Sequence, residues 1–155
     1  MLSSVAERQP SLTQVDLRRL SLLAPDFSNI ELTGSHLDFA ILTSVNFYRA
    51  WLSSVSFREA IVTQSSFHRT NLTHAIFVQA DLQETDFRKA DLRKTDFTQA
   101  QLRDANLEEA DLRGASFTDV DLARTKLKGA TADDDTVWPA NFDPLAAGVI
   151  INSRS

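Results

Sequence analysis

The 155-residue chain contains no cysteine, one methionine, one tyrosine, three histidines, four glycines and four prolines. Without cysteine it can form no disulfide, and no thiolate is available as nucleophile or metal ligand. With so few glycines there is no glycine-rich loop of the kind that cradles phosphates. The first ten residues, Met1 to Pro10, lack the cationic-then-apolar layout of a secretory leader. The longest late apolar stretch, Ala146 to Ile151, falls far short of the ~20 residues that span a bilayer. These absences lead us to expect a cytoplasmic protein with no membrane partner. The net charge of −5 is modest and uneven: residues 1–80 hold six basic and six acidic side chains, residues 81–155 ten and fifteen. An evenly acidic surface is excluded, and the acidic total opposes attraction to nucleic-acid phosphates.

What the chain has instead is a beat of five. From Leu12 to Leu127 every fifth residue is Leu, Phe or Val, giving 24 centres without a break. An α-helix turns about 500° in five residues, so successive centres would lie roughly 140° apart and no face could collect them. Two residues before most centres stands a second small or apolar residue, as at Ala40, Val45, Ala50, Ser65, Thr70, Ala90 and Ala110. Inward positions are thus spaced two, three, two, three. A spacing of two is a strand, and a spacing of three keeps the same side only if the chain turns a corner. Polar pairs such as Arg18-Arg19, Arg88-Lys89 and Glu108-Glu109 fall at those corners.

The number of sides follows from the phenylalanines. Taken 20 apart, the column from Leu12 to Leu112 is Leu throughout, and the column from Leu22 to Leu122 is Leu except for Val62. Phe occurs only in the other two columns, as Phe57, Phe77, Phe97, Phe117 and as Phe27, Phe47, Phe67, Phe87. A three-sided coil would mix the two in every column, and two sides could not enclose a Phe core. Four sides is the smallest solution. The 24 centres then make six stacked coils, a rod roughly 29 Å long at the ~4.8 Å strand spacing.

Runs such as Ala80-Asp81-Leu82-Gln83-Glu84, Ala90-Asp91-Leu92-Arg93-Lys94 and Ala110-Asp111-Leu112-Arg113-Gly114 resemble the pentapeptide-repeat family. The resemblance covers about three quarters of the chain. It implies an all-β fold, a right-handed four-sided parallel β-helix, and the handedness rests on the resemblance alone. The segment Thr136 to Pro144, with Trp138-Pro139 and Phe142-Asp143-Pro144, is similar to the C-terminal tail of cyanobacterial members. The consensus is looser between Leu12 and about Phe47, where Pro10, Leu20, Pro25 and Ile30 occupy the second inward position, so irregular first coils are expected. The expected organisation is an N-terminal cap over 1–10 using Leu2 and Val5, the β-helix over 11–130, and a capping tail over 131–155 in which Trp138, Phe142, Leu145, Val149 and Ile150 fold over the last core layer.

Candidate chemistry is sparse. His36, His68 and His74 all point outward, with His68 and His74 on different sides, which disfavours a metal site. The run Asp133-Asp134-Asp135 lacks the alternating ligands and glycine of a calcium loop. Asp91 and Asp111 would stack one coil apart, close enough to form a carboxylate pair, but Arg93 and Arg113 stack beside them and favour a surface charge network. We therefore expect no enzyme, no cofactor and no metal.

Outward apolar or aromatic residues are the informative exceptions. One cluster is Tyr48, Arg49 and Trp51, with His68 and Arg69 one coil on and Arg88 and Lys89 beyond, the last pair faced by Glu108 and Glu109. Tyr, Trp and Arg are over-represented at binding hot spots, although a snorkelling aromatic under arginine cover would look the same. The other cluster is Phe39, Ile41 and Ile61 with Leu23 near, read either as a partner or dimer patch or as cover for a loose early coil. The expectation is a non-catalytic scaffold for a protein partner, a monomer or weak dimer. The resemblance implies cyanobacterial relatives, some of which control cell differentiation by contacting a transcriptional regulator. The alternative it implies is a DNA mimic that inhibits a type II topoisomerase, which six coils and a neutral first half oppose.

Overall fold

The computed structural model describes residues 10–153; the expected cap contacts of Leu2 and Val5 lie outside this range. All regular pairing among the described residues is parallel. Strand β1 (Ser21–Leu23) pairs with β2 (Ile41–Thr43), and β3 (Thr131–Ala132) with β4 (Ile150–Ile151). Between them, single residue pairs continue the same register, twenty residues apart. One ladder runs Ser11, Glu31, Trp51, Asn71, Asp91, Asp111, Thr131; a second Asp16, His36, Ser56, Ile76, Asp96, Ser116, then Val137. The other two start at Ser21 and Asp26 and run to Gln101 and Lys126.

Each pentad is held by the same backbone bonds. The Asn71 N–H donates to Ala50 on the preceding coil at 3.0 Å, Leu72 and His74 donate to Asp91 and Arg93 on the next at 2.8 and 3.0 Å, and Ala75 closes the corner onto Leu72 at 3.0 Å. The corner closes because its second residue takes a left-handed conformation, as at Arg69 (φ 57°) and Gln79 (φ 57°). Twenty-one described residues other than glycine do so, although the left-handed region costs such residues ~1–2 kcal/mol each. The inter-coil hydrogen bonds over-determine the corner and hold it there.

The centres from Leu32 to Leu127 are all buried, so the period-five reading locates the core. Phe57, Phe77 and Phe97 stack nearly parallel at 4.9 and 5.4 Å, and Phe47, Phe67 and Phe87 at 5.1 and 5.0 Å. The two columns meet edge to face, with Phe57 5.9 Å from Phe67. Both geometries suit the ring quadrupole. Polar residues at the second inward position are satisfied by the coil before: the Thr70 hydroxyl donates to Phe47 O, that of Thr85 to Val62 O, and that of Thr95 to Leu72 O.

Three expectations need correction. Leu12 and Leu22, read as inward, are 46% and 38% exposed; both lie on the first described coil. In the tail, Trp138 stacks on Phe117 at 5.2 Å, Phe142 packs on Trp138, and Val149 is buried, but Leu145 and Ile150 are exposed. They sit on the outer side of a segment that turns through Pro144 and Gly148. The register is also interrupted before Leu127. The ladder from Ser21 stops at Gln101 with no bridge to Asp121, Arg124 lacks the left-handed conformation of the other corners, and the Asp104 N–H reaches Arg124 O, twenty residues on instead of nineteen. Val120 follows Ala40, Ala60, Ala80 and Ala100 in the column that begins with Leu20, so a branched side chain stands at the interrupted coil where the four coils before it carry alanine. The wall opens into a cleft of about 380 Å³ lined by Gln99, Gln101, Arg103, Asp121 and Arg124.

Candidate functional site

At the corner after the Phe27 column, cations stack on cations at the left-handed position. Asn29, Arg49, Arg69 and Lys89 occupy its left-handed position on successive coils, with φ of 59°, 55°, 57° and 57°. The next residue but one on each coil is the first of the following side, and there Glu31, Trp51, Asn71 and Asp91 form a ladder. Because each side chain at these positions points outward, the two columns flank a groove. It has a volume of about 370 Å³ and is lined by Asn29, Arg49, Ala50, Trp51, Arg69 and Asn71. Trp51 is 54% exposed. Its backbone is fixed by donation to Ile30 O at 2.8 Å, so the indole projects from a rigid base.

Tyr48 and His68 lie on the other shoulder of the same corner. Their rings are 5.7 Å apart and tilted by 58°. The Arg49 guanidinium sits over the Tyr48 ring, 5.2 Å from its centroid, the geometry of a cation–π contact. His68 Nδ1 lies 3.8 Å from Asp86 Oδ2. That carboxylate is already gripped by Arg88, whose Nε and Nη2 donate at 2.9 and 2.8 Å. Burial pushes the Asp86 carboxyl up, but the side-chain and backbone hydrogen bonds from Arg88, its charge and that of His68 outweigh it and leave the group below its ordinary value. Arg88 is therefore paired with Asp86 and not with Glu108, while Lys89 reaches Glu109 at 3.5 Å.

Of the residues singled out in the sequence, the fold thus brings Arg49, Trp51 and Arg69 to one groove and stacks Tyr48 on His68 beside it. Asn29 and Asn71, which complete the groove, were not singled out, because asparagine in a turn-rich chain carries no signal by itself; reading the columns around Arg49 and Trp51 at the 20-residue spacing would have found both. Phe39, Ile41 and Ile61 form a separate patch two ladders away. Ile41 and Ile61 are directly paired, the three are 43%, 46% and 41% exposed, and Arg19 lies over the Phe39 ring at 5.2 Å. Leu23, 82% exposed, sits one coil before.

The remaining titratable groups form surface clamps. Arg93 donates to Asp91 through Nε and Nη2 at 2.8 and 2.7 Å and lies 3.8 Å from Asp111, which Arg113 grips in turn. Asp133 accepts from the Gly114 N–H at 2.9 Å and from the Asp135 N–H at 3.1 Å, so it acts as a turn residue joining the last coils to the tail. His36 lies 3.8 Å from Asp38. No group of three His, Asp or Glu side chains that could hold a metal occurs among the described residues, and no helix there is long and apolar enough to cross a membrane.

A parallel ladder with a 20-residue register, wrapped around stacked Leu and Phe centres, defines a β-helical repeat solenoid. The family model described as "Pentapeptide repeat region" matches residues 52–136, more than half of the chain, and "Pentapeptide repeats (8 copies)" matches residues 26–58. The chain belongs to the pentapeptide-repeat family. Among solved structures it is similar to HetL, a pentapeptide repeat protein involved in heterocyst differentiation regulation from the cyanobacterium Nostoc sp. strain PCC 7120, at 17% identity over 92% of this chain and 87% of that one, with a TM-score of 0.49. QnrB1, a plasmid-mediated fluoroquinolone resistance protein, matches at 15% identity over 93% and 90% of the two chains, TM-score 0.47. Rfr23 from the cyanobacterium Cyanothece 51142 matches at 28% identity over 83% and 90%, TM-score 0.31. No curated protein matched.

Proposed function

We propose that this protein is a non-catalytic scaffold, a right-handed four-sided β-helix of about six coils whose Tyr48–Arg49–Trp51–His68–Arg69 edge binds a protein partner. The observation that carries this reading is the groove where Trp51 lies exposed beside Arg49 and Arg69. An exposed indole on a rigid backbone beside guanidiniums is the composition of an interface hot spot. Rigidity favours binding, since little conformational entropy is lost on docking. The apolar Phe39, Ile41 and Ile61 patch is a secondary contact, for the same partner or for weak self-association. Capture of proteins from the native host tests the reading. Wild type should retain a partner that Trp51→Ala with Arg69→Glu loses, and identical profiles would refute the assignment of this edge.

The competing role, a DNA mimic acting on a type II topoisomerase, needs columns of free carboxylates. Here Asp86, Asp91 and Asp111 are each clamped by an arginine two residues on. Inhibition in a supercoiling assay at low micromolar protein would reverse this ranking.

A further inference from the structure

Of the fourteen lysines and arginines among the described residues, seven are ion-paired where they stand, Arg103 with Asp104 among them. Arg18 pairs with Asp16, Arg88 with Asp86, Arg93 with Asp91, Arg113 with Asp111, Arg124 with Asp104, and Lys89 with Glu109. Arg49 and Arg69 belong to the unpaired half, with Arg19, Arg58, Lys94, Lys126 and Lys128, and are the two of that set that stack at the same corner on successive coils. Neither makes an ion pair among the described residues, and their backbones are locked one coil apart, Arg49 N–H to His68 O and Arg69 N–H to Arg88 O, both at 3.1 Å. Their backbones lie about 4.8 Å apart along the axis, so two like charges share one stretch of surface without an ion pair to either among the described residues. The position after the corner places an indole beside them on the same coil as Arg49, and Asn29 and Asn71 line the same groove.

From this arrangement, and resting on the scaffold reading above, we infer that the groove between Arg49 and Arg69 binds an acidic, extended peptide segment of the partner, with two carboxylates at alternate positions and, two residues beyond them, an aromatic or proline residue that lies on Trp51. In an extended strand residues two apart project to the same side, about 6.6 Å from one another. Two carboxylates at that spacing fall within reach of the two guanidiniums, whose flexible stems adjust the remaining difference. The residue two positions beyond them projects to the same side and meets the indole face. The Asn29 amide supplies a donor group and an acceptor, the complement of a peptide group, and Asn71, whose Oδ1 already accepts from the Thr73 N–H and hydroxyl at 3.0 and 2.9 Å, supplies its Nδ2 donor. Nucleic acid would use the same cations and stack its bases on Trp51, but the chain carries a net charge of −5, with Glu31 before Trp51 and Asp91 after Asn71 in the same ladder. Two exposed arginines suit a short carboxylate pair better than a phosphate backbone.

The full chain, labelled with ¹⁵N, is titrated with a synthetic decapeptide of alternating Asp and Gly around a central Trp, with the same peptide carrying Lys in place of Asp, and with oligothymidylate. The acidic peptide should shift the side-chain amides of Asn29 and Asn71 and the Trp51 indole N–H, and should weaken as salt rises from about 50 to about 300 mM. The Lys peptide should shift none of them. Arg49→Gln with Arg69→Gln should weaken binding about tenfold, while Arg113→Gln should not, and unchanged thermal melting keeps the comparison valid. Absence of shifts with the acidic peptide, equal binding to the double variant, or preference for oligothymidylate would overturn the inference. If the peptide fails but Trp51→Ala with Arg69→Glu still loses its captured partner, only the acidic-segment inference falls; if both fail, the scaffold reading of this edge falls as well.

Discussion

The indole of Trp138 lies parallel to the ring of Phe117, 5.2 Å away and 5° from coplanar alignment, and so continues a Phe column beyond the last repeat that contains one. Phe142 packs on its far side at 5.3 Å. The open end of a β-helix exposes both core and unpaired strand edges, and the tail covers them with aromatic surface. Trp138→Ala should therefore cost roughly 2–4 kcal/mol of stability. It should raise amide exchange first in the coils nearest the tail, because a repeat stack unravels from its ends. Uniform exchange along the rod after this substitution would contradict a capping role.

Phe67 is fully buried, stacked on Phe47 and Phe87 and edge-on to Phe57 and Phe77. Phe67→Ala should cost roughly 3–5 kcal/mol, whereas Arg113→Ala, which breaks an exposed pair with Asp111, should cost under about 1 kcal/mol. Chemical denaturation of the two variants checks this. Equal losses would mean that the inward columns are misassigned.

Gln79 holds its corner at a φ of 57°, exposed, with its N–H bonded to Thr98 O at 3.0 Å. A β-branched residue resists this conformation, while glycine adopts it freely at some cost in chain entropy. Gln79→Val should destabilise by about 1–2 kcal/mol, and Gln79→Gly should fall within about 1 kcal/mol of wild type. Thermal melts that order the two variants the other way would contradict the corner geometry.

Asp111 gives an acid-side prediction. Burial pushes its carboxyl up, but the side-chain and backbone hydrogen bonds from Arg113 and the charges of Arg113 and Arg93 outweigh it and hold the group below its ordinary value. A carboxyl with a lowered folded value binds its proton less readily than in the unfolded chain. It contributes stability above the unfolded value of about 4, and that contribution is lost as pH falls towards the folded value. Denaturation midpoints of wild type and Asp111→Asn should thus differ most near neutrality and converge below about pH 4. A constant offset across that range would contradict the clamp.

Much of this architecture was legible because the core is built by position: Leu, Phe or Val at every centre, Ala or Thr two residues before, and a 20-residue alternation of Leu and Phe columns. The left-handed corners were not, since Gln79, Glu84 and Lys94 carry no turn signal and adopt the conformation only because the bonds between coils impose it. Nor was the cleft beside Asp121: Val120 breaks a run of four alanines in its column, but Leu20 in the same column sits beside regular pairing, so a larger residue there is no signal by itself. Arg49, Trp51 and Arg69 stood out as outward residues breaking the polar rule. Asn29 and Asn71 did not, because their contribution depends on neighbours twenty residues away.

The cleft itself is testable by amide exchange. The Leu82 N–H donates to Gln101 O at 2.9 Å, whereas the equivalent bond from Leu102 to Asp121 is missing from the ladder. Leu102 should exchange markedly faster than Leu82 although both side chains are buried. Equal protection would mean that the wall is closed there.

Every placement above depends on the chain returning to the same side after 20 residues, and the cysteine-free sequence allows a direct test. Gln64 and Glu84 lie one coil apart, with Gln64 Nε2 donating to Glu84 Oε2 at 3.2 Å. Cysteines at both positions, held about 4.8 Å apart at the backbone, fall within disulfide range. Gln64→Cys with Glu84→Cys should oxidise to an intramolecular disulfide in the folded protein, and Gln64→Cys with Gln79→Cys, fifteen residues apart, should not. Crosslinking of the fifteen-residue pair in place of the twenty-residue pair would contradict the four-sided coil and the groove built on it.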